Sequence, residues 1–95
     1  MAEFLVRIAV ALPADLDEAE RARLLDAEAS RGRELIAAGH LRHIWRVPGQ
    51  HANVSIYATA DATELHDLLS SLPLYPWMAI EAEALAEHPL AGSLR

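Results

Sequence analysis

Pro48-Gly49 lies midway along the chain, between two short runs in which apolar and polar residues alternate, and this arrangement constrains the fold more than any other feature. A proline followed by a glycine suits the two central positions of a tight turn, and an alternation of period two marks a strand with one face buried. The stretch His40 to Tyr57 therefore reads as a β-hairpin. In its first strand Leu41, His43, Trp45 and Val47 share one face, and Arg42, Ile44 and Arg46 share the other. In the second, Ala52, Val54 and Ile56 oppose Asn53, Ser55 and Tyr57. Two guanidiniums, an imidazole and a carboxamide on one small hairpin suit a receptor for a small anion. The arginines read equally as solvated charges at a sheet edge.

What flanks the hairpin narrows the topology. Phe4, Val6, Ile8 and Val10 alternate with Leu5, Arg7, Ala9 and Ala11, a strand with one strongly apolar face that ends at Pro13. Asp15 with Glu18 forms a capping-box pattern, so a helix is expected from about Leu16 to Ala38, closed by Gly39 in the left-handed conformation. Its buried stripe is expected at Leu24, Leu35 and Ala38, flanked by Ala27 and Ile36. Glu28 falls on that stripe, with Arg31 and Gly32 one turn later. A carboxylate among apolar side chains is costly unless paired or used, and burial raises its pKa; at a stripe edge it would instead reach water or pair with Arg31.

A second capping box, Asp61 with Glu64, opens a helix expected from Ala62 to Leu72, with Leu65, Leu68, Leu69 and Leu72 turned inward. Pro73 and Pro76 break it and present Tyr75 and Trp77. A last strand is expected from Met78 to Leu85, with Glu81 and Glu83 on one face and Ile80 and Ala82 on the other, followed by an irregular tail. The order strand, helix, strand, strand, helix, strand is that of an α+β, ferredoxin-like βαββαβ sandwich in one domain over residues 1–95. Both helices cover the same side of an antiparallel sheet. The bare side asks for cover by another subunit.

Composition removes several classes of function. The chain has no cysteine, which excludes disulfides, thiol nucleophiles and thiolate metal sites. All eight basic residues are arginines and the net charge is −6, a poor balance for binding nucleic acid, and without lysine there is no Schiff-base chemistry. No apolar run spans a bilayer and the first residues read as a strand, not a secretory signal. A cytoplasmic protein is the expectation.

The chain resembles the muconolactone delta-isomerase family along nearly its whole length. The matching features are the opening strand ending at Leu12-Pro13, Glu28, Gly39, the run Arg42-His43-x-Trp45-Arg46-x-x-Gly49 and Ala52-Asn53-x-Ser55. Leu65-His66-Asp67 and Leu72-Pro73-Leu74-Tyr75-Pro76-Trp77-Met78 complete the set. The resemblance implies an isomerase of aromatic catabolism that needs no cofactor or metal, working as a closed homo-oligomer, decameric in its best-known members. Its substrate is a small lactone carrying a carboxylate. Glu28 is then the expected proton carrier, with His43 or Asn53 polarising the lactone carbonyl. Arg42 or Arg46 holds the carboxylate, with Arg31 in reserve, and Ser55, Tyr75 and Trp77 line the substrate site. Three positions depart from the family pattern: Ala29 where lysine is frequent, His51 where tyrosine is frequent and Ala58 where aspartate is frequent. They leave open a same-fold isomerase or cyclase acting on another unsaturated lactone or ketone, or a ligand-binding module without catalysis.

Overall fold

The computed structural model describes residues 1–94. Strand β1 (Ala2–Val10) is followed by helix α1 (Glu18–Ala37), the hairpin β2 (Leu41–Arg46) and β3 (Ala52–Thr59), helix α2 (Ala62–Ser70) and strand β4 (Met78–Leu85). The strands form one sheet in the order β2-β3-β1-β4, every neighbouring pair antiparallel. This is the βαββαβ arrangement expected from the element order. Arg95 of the irregular tail lies outside the described residues.

Register assigns the two faces of the sheet. Phe4, Val6 and Ile8 of β1 are buried beneath the helices, each beside Tyr57, Ser55 and Asn53 of β3 in turn and Ala84, Ala82 and Ile80 of β4. Leu35 of α1 with Leu65, Leu69 and Leu72 around α2 completes the core. The other face carries Leu5, Arg7 and Ala9 beside Ile56, Val54 and Ala52, with Glu83 and Glu81 of β4 opposite Leu5 and Arg7. No element of the described chain covers that face.

Caps and turns follow local chemistry. The hairpin turn has Gly49 at φ 75°, and the Gln50 N–H donates to the Val47 carbonyl at 3.2 Å, a type II turn with proline and glycine in their preferred places. Gly39, at φ 81°, ends α1 in a Schellman motif: its N–H donates to Ile36 O, and the His40 N–H donates to Leu35 O. At α2 the Asp61 side chain accepts from the Glu64 N–H, and the Glu64 carboxylate accepts from the Ala60 N–H.

Three local expectations need correction. Helix α1 begins at Glu18, not near Leu16, and Asp15 does not cap it. The Leu16 N–H is drawn to the Pro13 carbonyl in a turn, so the chain enters the helix at Asp17. On the helix itself Ile36 and Ala38 are exposed, and the inward stripe is Arg21, Leu24, Glu28, Arg31 and Leu35, at alternating spacings of three and four. In β2 the alternation breaks: Leu41 pairs with Tyr57 and His43 with Ile56, so Arg42 is an extra residue in a β-bulge. Leu41 therefore shares the helix-covered face with Ile44 and Arg46, while His43 and Trp45 turn to the open face.

Candidate active site

Leu35 fastens the C-terminal end of α1 to the sheet, whereas Leu24 and Glu28 nearer its start are only half-buried. Between that first half of α1 and the sheet lies an open cleft of about 810 Å³, within the usual range for small-molecule sites, about 300–1,000 Å³. Ile44, Asn53, Leu74 and Met78 form much of its lining, and Arg21, Glu28, Arg46 and His51 contribute its titratable groups. Register explains this meeting: Arg46 pairs with Asn53 across the β2–β3 ladder, and Met78 pairs with Val10 across β1–β4.

Glu28 enters the cleft from the α1 stripe, and its Oε1 accepts from the Leu74 N–H at 3.0 Å. Leu74 sits in the break after α2, where Pro73 prevents the helix from continuing and leaves this N–H free to point back. Burial pushes the Glu28 carboxyl above its ordinary value, and the Leu74 N–H partly opposes the rise. The opposing influence is thus a backbone donor, not an arginine. Arg31, the nearest cation on the stripe, is engaged elsewhere: its Nε donates to Ser71 Oγ at 3.0 Å and its guanidinium pairs with Glu34.

Asn53 supplies the second polar group. Its Oδ1 is buried without a hydrogen-bond partner among the described residues. An unmade hydrogen bond of this kind costs about 1–3 kcal/mol, a cost removed when a ligand completes it. A half-turn of the amide presents its N–H groups at the same place without changing shape. Tyr57, buried beneath the helices, has its phenol pushed up to about 12 by desolvation and the Glu28 charge, with Arg31 opposing, so it is neutral at physiological pH.

Of the nine site residues expected from sequence, the cleft gathers Glu28, Asn53 and Arg46. His43 lies on the opposite sheet face, stacked on Trp45 with ring centroids 5.5 Å apart and planes 7° from parallel. Arg42 is exposed in the bulge and Arg31 is tied to Ser71 and Glu34. Ser55 is buried, and its hydroxyl donates to the Val6 carbonyl at 3.4 Å. Tyr75 borders a smaller apolar recess between α2 and β4, and the Trp77 carbonyl is bonded to the Ala11 N–H. The sequence reading missed Arg21, although its place seven residues before Glu28 on one helix stripe was a usable signal. Among the family departures only His51 lines the cleft; Ala29 is exposed and Ala58 is packed in the core.

A ferredoxin-like fold with a desolvated carboxylate and a carboxamide whose oxygen lacks a partner in one cleft has the equipment of a proton-transfer isomerase. The comparisons narrow that class. The profile of the muconolactone delta-isomerase family matches residues 2–91. The chain is 43% identical over 88 residues to the muconolactone delta-isomerase of Rhodococcus opacus, covering 93% of this chain and 95% of that one. It is 41% identical over 85 residues to muconolactone delta-isomerase 2 of Acinetobacter lwoffii, covering 90% and 88%. A crystal structure of muconolactone isomerase superposes with a TM-score of 0.86 at 39% identity over 92% of this chain and 91% of that one. An uncharacterised NIPSNAP domain protein from Burkholderia xenovorans, with a TM-score of 0.56 at 15% identity over 96% and 98% of the two chains, shares the fold alone. The chain belongs to the muconolactone delta-isomerase family and is an isomerase.

Proposed function

We propose that this protein shifts the ring double bond of muconolactone to give the enol-lactone of 3-oxoadipate, using side chains alone. The observation that carries the reading is the Glu28 carboxylate, half-desolvated and held by the Leu74 N–H, in the same cleft as Asn53, whose Oδ1 has no partner among the described residues. Glu28 removes the proton from the ring carbon bearing the carboxymethyl group. The electron pair moves through the ring to make a dienolate, whose oxyanion accepts from the Asn53 amide. Glu28 then returns a proton to the carbon next to the carbonyl, and the enzyme ends as it began. Arg46, across the ladder from Asn53, holds the carboxylate of the side chain.

Turnover of muconolactone in deuterium oxide, followed by ultraviolet absorbance and proton NMR, tests this directly. The expected result is isomerisation with deuterium next to the product carbonyl. Unchanged muconolactone in the presence of native protein overturns it.

The same reading extends to assembly and setting. The open sheet face presents Trp45, more than half exposed, with Val54, Ile56 and Leu5 nearby, and a second copy covering this face gives a homo-oligomer in the cytoplasm. No helix among the described residues is long and apolar enough to cross a membrane. Light scattering at micromolar concentration is expected to show a dimer or larger, and a stable 10.4 kDa monomer removes this part of the reading.

A further inference from the structure

We propose that Arg21 is a second carboxylate-binding residue, which fixes the acidic end of the substrate from helix α1 while Arg46 meets it from the sheet. The inference rests on the proposed function and adds a specificity residue to it.

Four observations carry it. Arg21 lies on the inward stripe of α1, seven residues before Glu28, and lines the same cleft. Two helical turns place the two residues about 10.5 Å apart along the axis. The long arginine side chain spans part of that rise, so its guanidinium can meet the carboxylate while Glu28 meets the ring carbon that bears it.

The second observation is that Arg21 is unclaimed. The ion pairs among the described residues join Arg23 to Glu20 and Arg31 to Glu34, and neither Arg21 nor Arg46 has a carboxylate partner. In a chain with fourteen carboxylates and eight arginines, leaving both cleft arginines without an ion pair keeps them available to an anionic ligand. Third, Arg21 is half-buried whereas Arg46 is exposed. A guanidinium with less water around it binds a carboxylate more firmly than one at the rim.

The fourth observation separates Arg21 from the base. The influences on the Glu28 carboxyl are burial and the Leu74 N–H, with no cation among them. Arg21 is thus free to serve the ligand's carboxylate without holding Glu28 in its ionised form. Ala29, where the family frequently has lysine, is exposed and supplies no charge to the cleft. Arg21, about two turns earlier on the same helix, lines the cleft and supplies one.

Affinity and turnover are measured for Arg21→Gln and Arg21→Lys, using muconolactone and its uncharged methyl ester. With the native background, Arg21→Gln is expected to raise KM for muconolactone about 10- to 100-fold and to leave kcat within about 3-fold. The ester is expected to show no change, and Arg21→Lys to recover part of the loss. Binding is measured separately by calorimetry in the Glu28→Gln protein, where no turnover is needed. If native protein fails to isomerise muconolactone, the proposed function falls. A 10-fold weaker binding of acid but not ester on adding Arg21→Gln still supports the Arg21 contact. Equal binding of the acid with and without Arg21, an equal loss for acid and ester, or no binding of muconolactone to the Arg21-containing protein overturns it.

Discussion

Replacing Glu28 by Gln separates the chemical role of this side chain from its structural one, because the amide keeps its volume and one of its hydrogen bonds. The Gln Oε1 still accepts from the Leu74 N–H, now 3.0 Å from the carboxylate, so the break after α2 stays docked against α1. What is lost is basicity. A positioned general base contributes about 10²–10⁴-fold, or roughly 3–5 kcal/mol of barrier, and kcat is expected to fall by that factor with KM changing about 3-fold or less. Stability moves the other way. The native carboxyl has a folded pKa raised above 4.5, so the folded state retains a proton that the unfolded chain has already released. Native stability therefore declines as pH rises from 4.5 through the folded value, and stays lower above it. The Gln variant lacks this loss: its Tm should exceed that of the native protein at pH 8, and the gap should close as pH falls to 4.5 and below. The native kcat/KM profile should have an acidic limb above 4.5, where Glu28 becomes ionised, and the variant should not. Full activity in Glu28→Gln, or a Tm below native at pH 8 together with an unmoved acidic limb, refutes the reasoning.

Three further outcomes follow from the geometry. Asn53→Ala is expected to lower kcat about 10²–10³-fold by removing the oxyanion donor, with no loss of Tm because the buried oxygen has no partner to lose; normal turnover by this variant excludes the role. Leu35→Ala empties the contact that fastens α1, at 1% exposure, and should cost about 2–5 kcal/mol, a fall in Tm of about 10 °C or more in thermal unfolding. Tyr57, with its phenol pushed up from 10.0 to about 12, should make native stability fall as pH rises between those values, and Tyr57→Phe should flatten that part of the Tm–pH curve.

The fold was legible where one local rule acts alone. Alternation in β1 identified Phe4, Val6 and Ile8 as the buried face, and the Asp61–Glu64 capping box, the Pro48-Gly49 turn and Gly39 all stand where composition places them. It was less legible where a neighbour intervenes. Nothing in Leu41-Arg42-His43 marks the bulge, because the extra residue is set by how β2 aligns with β3 and not by the side chains of β2. One inserted residue moves His43 from the face of Leu41 to the opposite side of the sheet. The hairpin groups, read together as one anion receptor, stand on two faces, as the alternation of His43 and Arg46 already requires: Arg46 and Asn53 face the cleft while His43 faces away, and the bulge moves Leu41 onto the side of Arg46.

Helix α1 shows why the rest of the site was harder to see. A stripe searched for apolar residues finds Leu24 and Leu35 and treats Glu28 as an anomaly to be explained, but it passes over Arg21 because arginine is ordinary on a helix flank. The status of such a residue depends on what stands opposite, and that is decided by chain segments far away in sequence. The short apolar list of α1 is itself the cause of the cleft: with Leu35 alone fully buried, the helix is fastened at one end, and its polar first half stands over Asn53 and Arg46 instead of sealing onto them. A more apolar stripe, with leucines at positions 21 and 28, would bury more surface and hold α1 more tightly. It would also fill the space and remove the carboxylate and guanidinium on which the proposed chemistry depends. Modest packing in this half of α1 is therefore the condition for having a site there at all.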